Sequence, residues 1–390
     1  MWYRLALEIQ ASRLQGSAMD YHLISADDHL DIRFFPQDLF TSRVPGKLKE
    51  RVPHVVPANN ERYKPEDGQF DWVADGRVIA PWGCYDAAHG SGAMWAIERG
   101  GVLKWGELRP TTPELRQEDM DRDGVQASVM YGPPDPFDGL DDVEVRRATF
   151  RAYNDWLLEF CATAPQRFVG VAQLDYEDPE FSADELERTA KAGIKHVNVL
   201  AARAKPSWYD PAWERFWSIA EETGVPVGSH LAVVQARDRE RSGPNYGGAV
   251  FSLGQQLVEP YAGLILTGMF DRHPKVKTVM GESGIAWVPN MIQTLQRGWR
   301  PGGRGAQSAR PPIEYFRDNI WMTFQDDEYG VRMLKEGLLF EDKVMWASDY
   351  PHPASTWPDS RDVIERQMKG IPDATRKKLL ADNAKNLYKL

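Results

Sequence analysis

The chain has 390 residues, with 47 Lys and Arg against 57 Asp and Glu, a net charge of −10 and 42% hydrophobic residues. This is an ordinary globular composition, and the length suffices for one large α/β unit. The acidic balance and the absence of any run of five or six like charges argue against a nucleic-acid binder, and no apolar stretch approaches the roughly 18 residues of a membrane span.

The opening segment is interrupted by Arg4, Glu8 and Arg13, where a signal peptide needs an apolar core, so a cytoplasmic protein is expected. Residues 1–20, ahead of and around a second methionine, Met19, read as an N-terminal extension. Residues 21–390 read as a single unit. With Cys84 and Cys161 as the only cysteines, neither a disulfide framework nor a Cys-rich zinc site can form, so any metal must be held by His and carboxylates.

Taken in chain order, short β-branched runs alternate with longer amphipathic stretches, the pattern of repeated βα units around a parallel sheet. Eight strands are predicted: His22–Leu30, Gln126–Gly132, Phe168–Leu174, Ile194–Leu200, Val225–Leu231, Val276–Ser283, Asn319–Phe324 and Lys343–Pro351. Helices are predicted over Val143–Ala164, Ala183–Ala192, Pro211–Thr223, Pro260–Arg272, Ala286–Trp299, Asp327–Gly337 and Arg361–Lys369. Asp210-Pro211 opens one of them, and Gly193 and Gly224 close two others. Eight such units favour a closed (β/α)₈ (TIM) barrel, and the lack of Gly-x-Gly-x-x-Gly after the first strand disfavours a nucleotide-binding sheet.

Residues from about 31 to 112 then form a long insertion after strand 1. Its four tryptophans (Trp72, Trp82, Trp95, Trp105) suit either packing or an aromatic-walled pocket. A second insertion, Ala236–Ser252, reads as a loop after the fifth strand, and Ala374–Leu390 as a final helix on the outside of the barrel.

Barrel active sites are built at the C-terminal ends of the strands. There, alternation turns Asp27 and His29 to one face of the first strand and Asp28 to the other. His230 ends the fifth strand, Glu282 the sixth and Asp349 the eighth. Singly, each is an ordinary hydrogen-bonded or capping residue, and Asp28 and Asp31 read as caps or Asx-turns. Together, five such residues at four strand ends point to one site, and two imidazoles with carboxylates suit a divalent metal, Zn²⁺ first, with Mn²⁺ or Fe²⁺ as alternatives. His22, His54 and His196 have no supporting partner, and His273 lies at the opposite end of the barrel.

Asp27-x-His29, Leu115–Val125 (LRQEDMDRDGV), the block ending at His230, Phe270–Pro289, MWASDYPH (Met345–His352) and the closing NAKNLYKL occur in an order and spacing that resembles the amidohydrolase superfamily. The similar branch is the amidohydrolase-related one that includes aminocarboxymuconate semialdehyde decarboxylase and the resorcylate decarboxylases. The resemblance implies a distorted barrel with one or two divalent ions, held by Asp27, His29, His230 and Asp349. Glu282 stands where many relatives carry histidine, and reads as a second-metal ligand, a bridge or a partner of a ligating imidazole. Lys195 is at the wrong end of its strand to be a carboxylated lysine ligand.

On this resemblance Asp349 is the expected base, with His352 and Glu282 as further catalytic candidates. His89, Trp82, Trp95 and Asn198 are candidates to line the substrate pocket. Two reactions suit the shell: hydrolysis of an ester, thioester, lactone or amide by metal-activated water, and non-oxidative decarboxylation of a carboxylated aromatic. The missing sixth-strand histidine tilts the reading to hydrolysis of a bulky apolar small-molecule substrate. A non-catalytic ligand-binding barrel is the remaining alternative. Arg109, Arg203 and Lys205 are possible clamps for an acidic substrate. Met1–Gln15 and the Trp-rich insertion are the expected surfaces of a homodimer.

Overall fold

The computed structural model describes residues 19–58, 70–83, 108–134, 136–231, 253–300, 306–352 and 354–390. Eight parallel strands follow one another around a single sheet: β1 (Ile24–His29), β5 (Ala127–Tyr131), β6 (Phe168–Gln173), β7 (His196–Asn198), β8 (Val227–His230), β9 (Thr278–Gly281), β10 (Ile320–Phe324) and β11 (Val344–Trp346). Each falls within its predicted run. Helices on the outside and side chains inside bury both faces, which is why these strands read as continuous apolar stretches.

Two backbone hydrogen bonds join the first strand to the chain just beyond the last: Asp349 N–H donates to the Asp27 carbonyl at 2.9 Å, and His29 N–H to the Tyr350 carbonyl at 2.7 Å. The sheet thus closes into a (β/α)₈ barrel.

Helix punctuation follows the sequence. Asp210 caps a 3-10 turn, Pro211–Trp213, through Ala212 N–H at 2.9 Å; the turn leads into the helix Glu214–Thr223, which Gly224 ends in the left-handed conformation, φ 65°. The stretch Pro260–Arg272, expected as one helix, is two, Val258–Leu266 and Met269–Arg272, separated at Gly268, whose φ is 70°. Among the described residues, the insertion after β1 contains a three-stranded antiparallel sheet, β2 (His54–Pro57), β3 (Phe70–Ala74) and β4 (Arg77–Trp82). Trp72 is fully buried there and meets the Phe40 ring edge-on at 5.9 Å, so it is core rather than pocket wall.

The tail departs from expectation. Asn383 donates to the carbonyls of Glu341 and Val344, at 2.7 and 2.8 Å, near the start of β11. Ala381, Ala384, Leu387 and Tyr388 then join Ile24, Ala26, Val129, Val171, Val279 and Met345 in one buried cluster. The tail therefore seals the floor of the barrel instead of lying on its outside, because its apolar face matches the small inward side chains of the strands.

No helix among the described residues is long and apolar enough to cross a membrane.

Candidate metal centre

The site begins with strand alternation. Asp27 and His29 point to the barrel axis, and the closing hydrogen bonds set Asp349 beside them. His230 arrives from the neighbouring end of β8. Its Nδ1 lies 2.8 Å from the Leu231 carbonyl, which turns Nε2 toward Asp27 and Glu282, at 3.5 and 3.2 Å. Gly281 precedes Glu282 because the packing leaves no room for more: a Cβ there would sit 3.1 Å from His230 Cδ2 and 3.3 Å from Asp27 Oδ2.

The ligand-type atoms form two overlapping groups, Asp27–His29–His230 and His29–Glu282–Asp349–His352, each within 4.8 Å. All five residues predicted at strand ends are thus brought together, and His352 joins them. Its ring stacks on His29 with centroids 3.7 Å apart, and its Nδ1 is 3.1 Å from Asp349 Oδ1. His29 Nε2 lies 3.0 Å from the same oxygen.

A test of whether the pocket suits a cation lies in its unsatisfied atoms. Asp27 Oδ1, His29 Nε2, His230 Nε2 and both Asp349 carboxylate oxygens are buried without a hydrogen bond of acceptable geometry. Buried polar atoms are rarely left so, and five converging on one point is the donor set of a divalent ion. Asp27 Oδ2 is by contrast fully used, accepting from Glu282 N–H and from Thr323 Oγ at 2.8 Å, which aims Oδ1 inward.

The charges agree. Burial opposes the charged form of His230, yet Asp27 and Glu282 raise it to about 9. Burial likewise opposes a charged His352, which Asp349 raises to about 9. His29, buried and beside His352, falls to about 4. Burial and the Asp349 charge push Glu282 up to about 7, while His352 and His29 overcome burial to bring Asp349 down to about 2. The carboxylates attract positive charge to this point, whether proton or metal ion.

Two of these residues sit in backbone that side chains seldom adopt. Glu282 has φ 49° and Asp349 φ 62°.

The other candidates separate from this cluster. Asn198 accepts from His230 N–H at 3.0 Å and donates to Gln173 at 2.9 Å, so it holds β8 in place. The Trp82 indole donates to the Phe35 carbonyl at 2.9 Å. His89, Trp95, residues 1–18 and the Ala236–Ser252 loop lie outside the described residues.

Arg109 is paired with Asp119 and Arg203 with Asp138, at 2.8 and 2.7 Å, and Lys205 reaches Glu177 at 3.9 Å. Lys195 donates to the Lys389 carbonyl at 3.3 Å, at the floor. His273 pairs with Glu214 at 2.8 Å. His196, without an evident partner in sequence, lies inside the barrel, 2.9 Å from the Tyr131 hydroxyl. Asp31 caps a short turn, as expected, through Arg33 N–H at 2.9 Å.

Asp28 is neither cap nor Asx-turn. It is 2% exposed, accepts from Ser25 and Ser348 hydroxyls at 2.6 and 2.7 Å, and lies 3.6 Å from Arg116. The Asp-Asp pair carries no local sign of this, since its partners lie far along the chain.

The amidohydrolase family model matches residues 52–390. The chain is 27% identical over 307 residues to gamma-resorcylate decarboxylase of Polaromonas sp. strain JS666, covering 73% of this chain and 91% of that protein. Among solved structures, an amidohydrolase of Mycobacterium avium subsp. paratuberculosis K-10 superposes with TM-score 0.74 at 23% identity, covering 96% of this chain and 99% of that one. A dihydroxybenzoic acid decarboxylase of Polaromonas sp. JS666, solved with manganese and the inhibitor 2-nitroresorcinol, superposes with TM-score 0.61 at 24% identity, covering 76% and 93%.

Proposed function

Since this chain belongs to the amidohydrolase family, matched over residues 52–390, we propose that it is a metal-dependent decarboxylase that removes a carboxyl group, without oxidation, from a carboxylated aromatic acid. We take residues 21–390 as one functional unit. The observation that carries the reading is the convergence of five unsatisfied buried donor atoms from Asp27, His29, His230 and Asp349. The choice of reaction follows the relatives, since this chain is 27% identical to gamma-resorcylate decarboxylase over 307 aligned residues. This reverses the tilt toward hydrolysis that the sixth-strand glutamate gives in the sequence. Manganese is the ion we assign, as in the similar solved decarboxylase; zinc, the first choice from sequence, has no comparable support.

Asp27, His29, His230 and Asp349 would hold the ion. A divalent ion there supplies fixed positive charge beside the substrate's carboxylate and its neighbouring oxygen. Loss of CO₂ leaves the electron pair of the broken C–C bond on the ring carbon, which must take a proton. Glu282 stands at the mouth of the cluster with its side chain 26% exposed and its carboxyl 3.2 Å from His230 Nε2, the acid placed to meet the substrate. That makes it the donor. His352, stacked on His29 with its Nδ1 3.1 Å from Asp349 Oδ1, orients that carboxylate from outside the ligand set.

The experiment is to load the purified protein with Mn²⁺ and follow CO₂ release from a panel of hydroxybenzoates carrying an ortho carboxylate, beside a panel of aryl esters and lactones. Decarboxylation with inert esters is expected. Hydrolysis of the esters with no CO₂ from any acid would overturn the assignment.

A further inference from the structure

Arg116 is fully buried in the helix Pro113–Asp123, outside the ligand cluster. Its Nη1 donates to the His29 carbonyl at 2.9 Å and to the Pro110 carbonyl at 3.1 Å, and its Nη2 donates to Ser128 Oγ at 3.1 Å. Asp28, 3.6 Å from Nη2, is its counter-charge. One Asp28 oxygen accepts from Ser25, Ser348 and Tyr350 N–H, the last at 3.1 Å, and the other accepts from Ser128. The Tyr350 ring lies across the guanidinium, 5.2 Å from its carbon.

The pair is thereby bonded to β1, to β5 and to the segment after β11. Its partners bracket the cluster: Asp28 stands between Asp27 and His29, and Ser348 and Tyr350 flank Asp349. Burying an ion pair costs desolvation that apolar residues of similar volume would avoid, so stability alone is a weak reason for it to be there. Fixing the relative position of two strand ends is a stronger one, because each bond has a set direction and length.

The geometry points to Arg116 and Asp28 as positioning residues that set the distance between the Asp27–His29 pair and Asp349, and through it the affinity for the divalent ion. This rests on the reading of the cluster as a metal site.

The test is Mn²⁺ titration of metal-depleted protein, read as dissociation constant, with thermal midpoint measured on the same samples. Arg116→Met and Asp28→Asn are each expected to weaken Mn²⁺ binding by roughly 10- to 100-fold, and the double variant by no more than the worse single one, since both act through one pair. Arg116→Lys, which keeps the charge, is expected to recover part of the loss. Should Arg116→Met not fold, Ser128→Ala, which removes a partner of both residues, takes its place with a smaller loss. Asn319→Ala is the control for stability alone, because Asn319 bonds to the Pro274 and Val276 carbonyls at the other end of the barrel, at 2.9 Å each. It is expected to lower the midpoint and leave the Mn²⁺ constant unchanged.

A lowered midpoint in the Arg116, Asp28 or Ser128 variants, with Mn²⁺ affinity within twofold of the parent, overturns the inference and leaves the metal site standing. Failure of the parent chain itself to bind Mn²⁺ overturns both.

Discussion

His29 and His352 stack nearly parallel, with ring centroids 3.7 Å apart and planes inclined by 14°, while each presents a nitrogen to the same oxygen of Asp349 at 3.0 and 3.1 Å. One ring comes from β1 and the other from the loop after β11, so the stack fixes a proton-bearing ring beside the carboxylate without making it part of the strand-borne ligand set.

That separation predicts different losses for the two rings. His352→Phe retains the stack and removes the proton at Nδ1. It is expected to keep bound metal and to lose roughly 10²- to 10⁴-fold in turnover, the range of a positioned proton-handling group. Metal content by plasma mass spectrometry and steady-state kinetics check it together. Loss of the metal with the ring would place His352 among the ligands instead.

Metal and stability are linked. Mn²⁺ at about 100 times its dissociation constant should stabilise the fold by roughly 2.7 kcal/mol. The increment should vanish in His230→Ala, along with about one equivalent of manganese per chain. Thermal midpoints of chelator-treated and reloaded protein measure it, and an equal rise in the variant would rule out the His230 assignment.

Gly281→Ala should act on the site with little effect on the barrel. The added methyl would press on His230 Cδ2 at 3.1 Å and Asp27 Oδ2 at 3.3 Å. We expect weaker Mn²⁺ binding by about tenfold, read by titration, with far-ultraviolet circular dichroism unchanged. Unaltered affinity would show that the ligands move aside at no cost.

A pH effect is expected away from the site. Burial raises Asp123 from its ordinary 3.8 to about 6, held back by hydrogen bonds from Ser360, whose N–H donates at 3.0 Å. A raised acid binds its proton more tightly when folded. Its contribution to stability is therefore greatest below about 4, and declines as pH rises through 6. Asp123→Asn should gain on the parent by on the order of 2 kcal/mol between pH 4 and pH 7. Urea denaturation at both pH values gives the difference, and a constant offset would contradict it.

Much of this was legible in the sequence because its signals are local. Strand runs and strand-end residues are neighbours in the chain, so Asp27, His29, His230, Glu282 and Asp349 could be assembled from position alone. Asp210 and Gly224 announced their helix ends through short-range geometry. What escaped depends on distant partners. The role of Asp28 needs Arg116, Ser128 and Ser348 at once, the insertion's antiparallel sheet lacks clean alternation, and the tail's apolar face gives no hint whether it covers a helix or the barrel floor. The reaction is not legible either: Glu282 in place of a histidine tilts the sequence toward hydrolysis without deciding between hydrolysis and decarboxylation.

The left-handed backbone at Glu282 and Asp349 implies that the barrel would hold together better without its chemistry. Asparagine and aspartate tolerate such angles through local hydrogen bonds, but glutamate pays on the order of 1 kcal/mol for them. Glu282→Gly should therefore give a chain that melts higher and turns over roughly 10²- to 10⁴-fold more slowly. A selection for heat resistance alone, with no demand for turnover, would be expected to erode position 282 first.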